Sequence, residues 1–468
     1  MKMNRRGFLA LAATAGAGSL AGCRTSVPGI ASGRCVNGKL RLGVIGTGSI
    51  ARGSDIPGIS THRRIEMAAF CDVDTAQYAS IKAKFPKAGY YQHWREMLDR
   101  EDLDAVLVAT PDHSHCLIMS EVMRRGLHLY GQKPLCRSFA QNRQLESLAA
   151  STGVVTQTGA QITAWECDRH TVELLRSGVI GTVEKVWVYS NTGIYEKFAE
   201  RKWPLPTEPI PATMDWKAWL EGAPERPYIS KQYTHLRWRV FRDFGSGWLG
   251  DMGTHLMLPI WMGMGLDRPV SAKASVFDCG WSADLKREFL PLFTHITWQF
   301  PGVKATGGKP FEVEWCDGVK EAKLSAAFLP EGEVSKLGKG SARPPLTAEY
   351  LLPPELEKLG KGCLWGELPI QGRVVKGSEG WLISTHYNRP PIVLDKQGKQ
   401  LPMDLPGLEP VSSHYHEFVD CCLDGGKATT DFSMACKVTD WLLLGRAAIN
   451  RPGQSVAMSD CLTGKMDV

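Results

Sequence analysis

The segment Lys39–Gly53, KLRLGVIGTGSIARG, constrains this chain more than any other. The apolar residues Leu42, Val44 and Ile45 run into Gly46-x-Gly48-x-x-Ala51, the G-x-G-x-x-G/A spacing of a dinucleotide-binding strand, turn and helix. Gly46 permits the tight turn. Gly48, followed by Ser49 and Ile50, lets backbone approach a pyrophosphate, and Ala51 lets the helix pack close to the strand. The helix N-terminus then offers N–H groups and a positive dipole end to phosphate. A second apolar run, Ile65–Cys71, ends at Asp72, at the spacing where a carboxylate holds the ribose 2′-hydroxyl of NAD. That charge would repel a 2′-phosphate, so NAD is the expected cofactor, with NADP left open.

From 39 to 160, apolar runs alternate with helical stretches, which predicts a doubly wound α/β domain of the Rossmann type. Strands are expected at Ala105–Ala109, Leu127–Tyr130 and Val154–Thr158, with helices at His113–Arg125 and Ser138–Ala150. Ligands of such sheets lie at the strand C-terminal ends, so Thr110-Pro111 and Gly131–Pro134 should face the cofactor. After 160 the pattern changes. Val183–Ser190 and His295–Phe300 read as strands, and Ser413–Leu423 and Met434–Asn450 as helices. Residues 161–468 are therefore expected to form an α+β domain with a largely antiparallel sheet. Residues 305–375 carry many Gly, Pro and Lys and give no clear pattern.

The N-terminus reads as an export signal. Lys2, Arg5 and Arg6 precede an apolar stretch, Phe8–Leu20, too short for a comfortable membrane span. Arg5-Arg6-Gly7-Phe8-Leu9 looks like a twin-arginine signal, and Leu20-Ala21-Gly22-Cys23 like a lipobox that would leave Cys23 lipidated. Residues 24–38 then serve as a flexible tether. These features predict an exported, periplasmic or membrane-anchored lipoprotein. A twin-arginine route carries folded proteins, and free NAD(H) is not dependable outside the cytoplasm. The nucleotide is therefore expected to stay bound and to regain its starting state in each turnover.

The net charge of +6 is scattered in short clusters such as Arg63-Arg64 and Arg124-Arg125, so a nucleic-acid partner is not expected. The 13 cysteines include no C-x-x-C pair and read mostly as small core residues. His113 and His115 flank no second ligand cluster, so they are assigned to a nucleotide-contacting loop and helix start, with no metal. His414 and His416 precede a helix and suit packing or capping. Six of the 15 tryptophans fall between Trp203 and Trp261. Within that stretch, Trp238 and Arg239 could form a sugar platform, rings stacking on C–H faces and Arg gripping hydroxyls or a carboxylate. An interface or core strand is the equal alternative.

Four segments, GVIGTGSIA (43–51), FCDVD (70–74), VATPDHSH (108–115) and GQKPLCRS (131–138), resemble motifs of the Gfo/Idh/MocA oxidoreductases. A fifth, Gly250-Asp251-Met252-Gly253-Thr254-His255, resembles that family's D-x-x-x-H. The resemblance extends along the chain after the signal and implies NAD(P)-dependent hydride transfer at a carbohydrate C–H(OH), a second domain over 161–468 whose open sheet carries the substrate site and the oligomer interface, and a homodimer or homotetramer. Residue by residue it makes Lys133 the lysine beside nicotinamide and substrate. Asp251 and His255 become the acid and the general base. Positions i and i+4 share one helix face, so the carboxylate can orient the imidazole, and an imidazole suits base work near neutral pH. Gln132 departs from the family's E-K-P, whose glutamate tends to contact the nicotinamide-side ribose; glutamine can hydrogen-bond hydroxyls but brings no charge. Two other classes compete. One is an NAD-dependent glycosidase working by transient oxidation and elimination. The other is a non-catalytic binding lipoprotein, which intact Lys133, Asp251 and His255 disfavour.

Overall fold

The computed structural model describes residues 38–161, 165–190, 206–229, 232–233, 237–276, 281–291, 293–317, 356, 358–360, 368–369, 371–386, 389–402, 405, 408, 413–466 and 468. Arg5, Arg6, Cys23 and the tether to residue 37 lie outside them.

Six short strands form the first sheet: β1 (Leu40–Ile45), β2 (Ile65–Cys71), β3 (Gly89–Tyr91), β4 (Ala105–Val108), β5 (His128–Gly131) and β6 (Thr156–Thr158). Every pair is parallel, in the order β3-β2-β1-β4-β5-β6. Val44 of β1 sits between Phe70 and Leu107, all fully buried. Burial on both faces is why these strands read as unbroken apolar runs rather than alternating ones. The order reverses between β1 and β4, which opens a crevice at the strand C-terminal ends. Helices α1 (Asp112–Arg124) and α2 (Phe139–Thr152) follow β4 and β5. Ser138 caps α2 by accepting from the Gln141 N–H at 3.2 Å.

The second sheet has eight strands, β7 (Val183–Ser190), β8 (Ser271–Val276), β9 (Thr294–Phe300), β10 (Phe311–Cys316), β11 (Gln371–Gly377), β12 (Gly380–Ser384), β13 (Ile392–Asp395) and β14 (Ser455–Ala457). Their order is β13-β12-β11-β7-β10-β9-β8-β14. All pairs are antiparallel except β7 with β10. Alternation is clear on β9 and β10, where Ile296 faces Trp315, Trp298 faces Val313 and Phe300 faces Phe311, all inward. Three helices matter to the site: α3 (Glu166–Ser177), α4 (Gly247–Met264) and the C-terminal α6 (Phe432–Ile449). Trp441 of α6 meets Trp298 and Phe300 edge-on, at 5.8 and 4.9 Å between ring centroids. Each such side chain buried on the sheet contributes about 1.5–3 kcal/mol.

The chain then returns to the first sheet. Helix α5 (His414–Asp424) puts Phe418, Val419 and Cys422 into the core that holds Val44 and Phe70. On α2, Asn142 donates to Asp440 of α6 at 2.6 Å, and Arg143 and Arg268 pair with the same buried carboxylate. C-terminal residues thus complete the first half of the fold. Nine described cysteines carry no disulfide, eight of them buried. Among the described residues no helix is long and apolar enough to cross a membrane.

Candidate active site

The glycine turn opens the site. Gly46 has φ +86°, and a Cβ there would lie 2.6 Å from the Ala109 carbonyl oxygen. Only glycine fits both the conformation and this approach of β1 to β4. At Gly48 a Cβ would meet nothing within 4 Å, so bare backbone faces the open crevice. The following helix starts at Ser49 and passes through a π-turn, Ala51–Asp55, with Ala51 fully buried as its spacing requires. Asp72, at the end of β2, ties the turn down. Its Oδ2 accepts from the Thr47 N–H at 2.8 Å and the Thr47 hydroxyl at 2.9 Å, and its Oδ1 from the Asp74 N–H at 3.0 Å. Burial pushes its pKa up, against the pull of those hydrogen bonds.

A cleft of about 320 Å³ runs along these strand ends. Gly46, Gly48, Ser49, Ile50, Asp72, Thr110, Pro111, Gln132 and Lys133 line it, as do Trp238 and Arg239. Bare backbone at Gly48, a carboxylate at the β2 end and a lysine at the β5 end, all along one crevice, fit a dinucleotide. His115 does not line the cleft. Its ring nitrogens lie 2.8 Å from the carbonyls of Pro134 and Thr110, so it braces two loops that do, in place of the nucleotide contact expected of it. His113 is likewise spent on the Trp219 carbonyl at 2.8 Å.

Lys133 is 8 % exposed. Its ammonium donates to Oδ1 of Asp251 at 2.7 Å and to that residue's carbonyl at 2.5 Å. Arg239 Nη1 lies 3.5 Å from the same carboxylate oxygen and 3.7 Å from Asp112. Burial opposes the charge on Asp251, but Arg239 and Lys133 overcome it and hold the carboxyl well below its ordinary range. Burial lowers the Lys133 pKa, and Arg239 adds to that while Asp251 opposes it. Trp238 stacks under the Arg239 guanidinium at 4.3 Å. Residues 237–240 form a 3-10 turn, so the strand alternative for this stretch does not hold. Asp112 is buried with both carboxylate oxygens lacking hydrogen-bond partners and lines the cleft.

Asp251 and His255 stand behind the cleft wall on α4, whereas Lys133 lines it. His255 Nδ1 is 3.3 Å from the Ala160 carbonyl, and its ring lies against His386, centroids 4.7 Å apart. His386 Nδ1 is 2.7 Å from Asp168, whose other oxygen accepts from Arg373 at 2.6 Å. Arg373 also donates to the carbonyls of Leu256 and His255. Burial lowers the His255 pKa strongly, helped by Lys133 and His386, so its imidazole is neutral. Sequence reasoning missed Asp168, Arg373 and His386.

Gln132 donates from Nε2 to both oxygens of Asp55, at 2.9 Å each. Tyr415 donates to Asp55 at 3.0 Å and accepts from Gln161 at 2.6 Å. Burial lifts the Asp55 pKa to about 7 despite these bonds. Neither Asp55 nor Tyr415 carried a signal in the sequence.

Comparison with known proteins bears on the whole arrangement. The curated 3-reductase acting on dTDP-3,4-didehydro-2,6-dideoxy-alpha-D-glucose from Streptomyces antibioticus is 31% identical over 150 residues, 32% of this chain and 45% of its own length. A glycosyl hydrolase family 109 protein from Solibacter usitatus is 30% identical over 166 residues, 32% of this chain and 37% of its own. The chain thus spans less than half the length of these curated relatives. Among solved structures, aldose-aldose oxidoreductase from Caulobacter crescentus shares the fold at TM-score 0.57 and 15% identity, covering 90% of this chain and 99% of that one. The WlbA dehydrogenase from Bordetella pertussis, solved with NADH and UDP-GlcNAcA, does so at 0.55 and 15%, covering 90% and 98%. Residues 40–160 match the oxidoreductase family's NAD-binding Rossmann fold, and residues 168–279 its C-terminal alpha/beta domain. With its glycine turn, strand-end acid and lysine set along one crevice, the chain belongs to the Gfo/Idh/MocA oxidoreductase family.

Proposed function

We propose that this protein is an NAD(H)-dependent oxidoreductase that moves hydride at a carbinol carbon of a sugar or sugar derivative. The observation that carries this reading is the buried Lys133–Asp251 ion pair, whose lysine lines the dinucleotide cleft. NAD, when bound, accepts or returns the hydride. Asp72 and the Gly46–Ile50 turn would hold its adenosine ribose and pyrophosphate, and Thr110, Pro111 and Gln132, which line the same cleft, would be left for its nicotinamide half. Lys133, fixed by two hydrogen bonds to Asp251, orients the reacting hydroxyl and polarises its oxygen. His255, to which the family resemblance assigns the hydroxyl proton, stands behind the cleft wall and takes it only through a water or side chain that reaches the cleft. Trp238 offers an apolar face to sugar C–H groups. Lys133 and Arg239 are balanced by Asp251 and Asp112, which favours an uncharged polyhydroxyl compound over a sugar acid.

The test is a panel of aldoses and their derivatives with NAD⁺, following NADH absorbance, on the wild type and on Lys133→Ala and His255→Asn. An unaltered rate in Lys133→Ala would remove the assignment. The family 109 relative supports a second reading, an NAD-dependent glycoside hydrolase with no net redox change. Release of phenol from aryl glycosides without added acceptor would favour it. We further propose export by the twin-arginine route through Arg5 and Arg6, lipidation at Cys23, and a homodimer or homotetramer. Cell fractionation with fatty-acid labelling tests the first two, and light scattering the third.

A further inference from the structure

One segment of the C-terminal half is bonded to the first sheet beside its crevice. The Thr75 N–H donates to the Thr213 carbonyl at 2.8 Å, and the Asp215 N–H to the Val73 carbonyl at 2.9 Å. Between them Asp74 and Met214 form an antiparallel β-bridge. The segment thus adds backbone rungs to the end of β2, two residues beyond Asp72. It is pinned twice more. Glu221 accepts from the Trp94 indole at 3.0 Å and pairs with Arg95 at 2.6 Å. The Trp219 carbonyl lies 2.8 Å from His113 Nε2, at the start of α1.

Behind it the segment is well packed. Trp216 stacks on Trp219 at 4.7 Å and on Tyr233 at 5.3 Å, within an aromatic core separate from the two sheets' cores. Met214, Ala218 and Trp219 line the same cleft as Asp72 and Thr110. A dinucleotide whose ribose sits on Asp72 would lie beside this wall, which is hydrogen-bonded to the chain just past β2.

We propose that Thr213–Glu221 is a strap over the adenosine end of the cofactor site that keeps the nucleotide bound through successive turnovers. This rests on the NAD(H)-dependent reading above. Its consequence is chemical. A hydride taken from one carbinol carbon, with loss of the hydroxyl proton, must be delivered to a carbonyl carbon, with gain of a proton, before the next cycle. The second substrate is then a carbonyl compound, or the oxidised form of the first.

The test needs no substrate. Protein loaded with NADH is mixed with a large excess of NAD⁺, and decay of bound-NADH fluorescence gives the release rate. Release over many minutes to hours is expected for the wild type, and at least about tenfold faster release for Glu221→Ala, which removes a hydrogen bond to a charged acceptor. Should that variant fail to fold, Arg95→Ala, on an exposed position, is expected to speed release roughly two- to fivefold. Wild-type release within seconds overturns the strap, as does an unchanged rate in folded Glu221→Ala or, failing that, in Arg95→Ala. Failure to bind either nucleotide at all would instead refute the functional reading.

Discussion

Lys133 Nζ reaches both the side chain and the backbone carbonyl of Asp251, at 2.7 and 2.5 Å. The loop after β5 is thereby locked to the second turn of α4, and the ammonium is held in one place at the cleft wall. Replacing Lys133 by Met removes the charge but keeps the volume. Turnover should fall about 10²–10⁴-fold with NAD affinity little changed. Asp251→Asn should act differently. It leaves Lys133 without its counter-charge and Arg239 with Asp112 alone, and should cost about 3–5 kcal/mol of stability, read by urea unfolding.

Asp72 has two jobs that one substitution separates. Its charge disfavours a 2′-phosphate, and its Oδ2 holds the Thr47 N–H and hydroxyl. Asp72→Asn keeps an acceptor for the turn while removing the charge. NAD affinity should weaken by about tenfold or less, while the preference for NAD over NADP should shrink by more, because a charged repulsion is lost. Titration of tryptophan fluorescence with both nucleotides reads the two effects.

Strands β2 and β7 were legible to the residue, because an apolar run between polar turns has few other fates. The glycine turn was legible through its spacing. The Asp168–His386–Arg373 cluster was not, since its members come from α3, β11 and the end of β12 and share no sequence period. The same limit hid the return of α5 and α6 to the first sheet. Sequence analysis assigned everything after 160 to a second domain, but Phe418 and Val419 are fully buried with Val44. Trp238 and Arg239 read in the sequence as a sugar platform or as an interface or core strand. They lie on a turn at the cleft, which aromatic and basic composition alone could not specify.

Arg373 and Asp168 are both 0 % exposed. Removing one partner leaves a bare charge, so Arg373→Met should cost about 3–5 kcal/mol, whereas removing both charges together should cost less than the sum. Because Arg373 also holds the carbonyls of His255 and Leu256, the single variant should lose turnover as well as stability. A double-mutant cycle with Asp168→Asn, followed by unfolding and by the NADH assay, gives both readings.

Gln132 replaces the family's glutamate for a reason visible at Asp55, where one amide donates to both carboxylate oxygens. A carboxylate in its place would face Asp55 within about 3 Å, and two such groups share one proton rather than ionise together. Gln132→Glu should therefore destabilise the protein, more at pH 8 than at pH 5, and adding Asp55→Asn should restore most of the loss. Asp55 itself sets a second signature. Its folded pKa is raised to about 7 from an ordinary 3.8, so between these values the folded protein holds a proton that the unfolded chain has released. Its share of stability is present below the ordinary value and is lost as pH rises through about 7, at most about 1.4 kcal/mol per pH unit. Asp55→Asn abolishes that slope. The variant's stability relative to wild type should climb from pH 4 to pH 7 and stay level above, and a flat difference across that range would place the proton elsewhere.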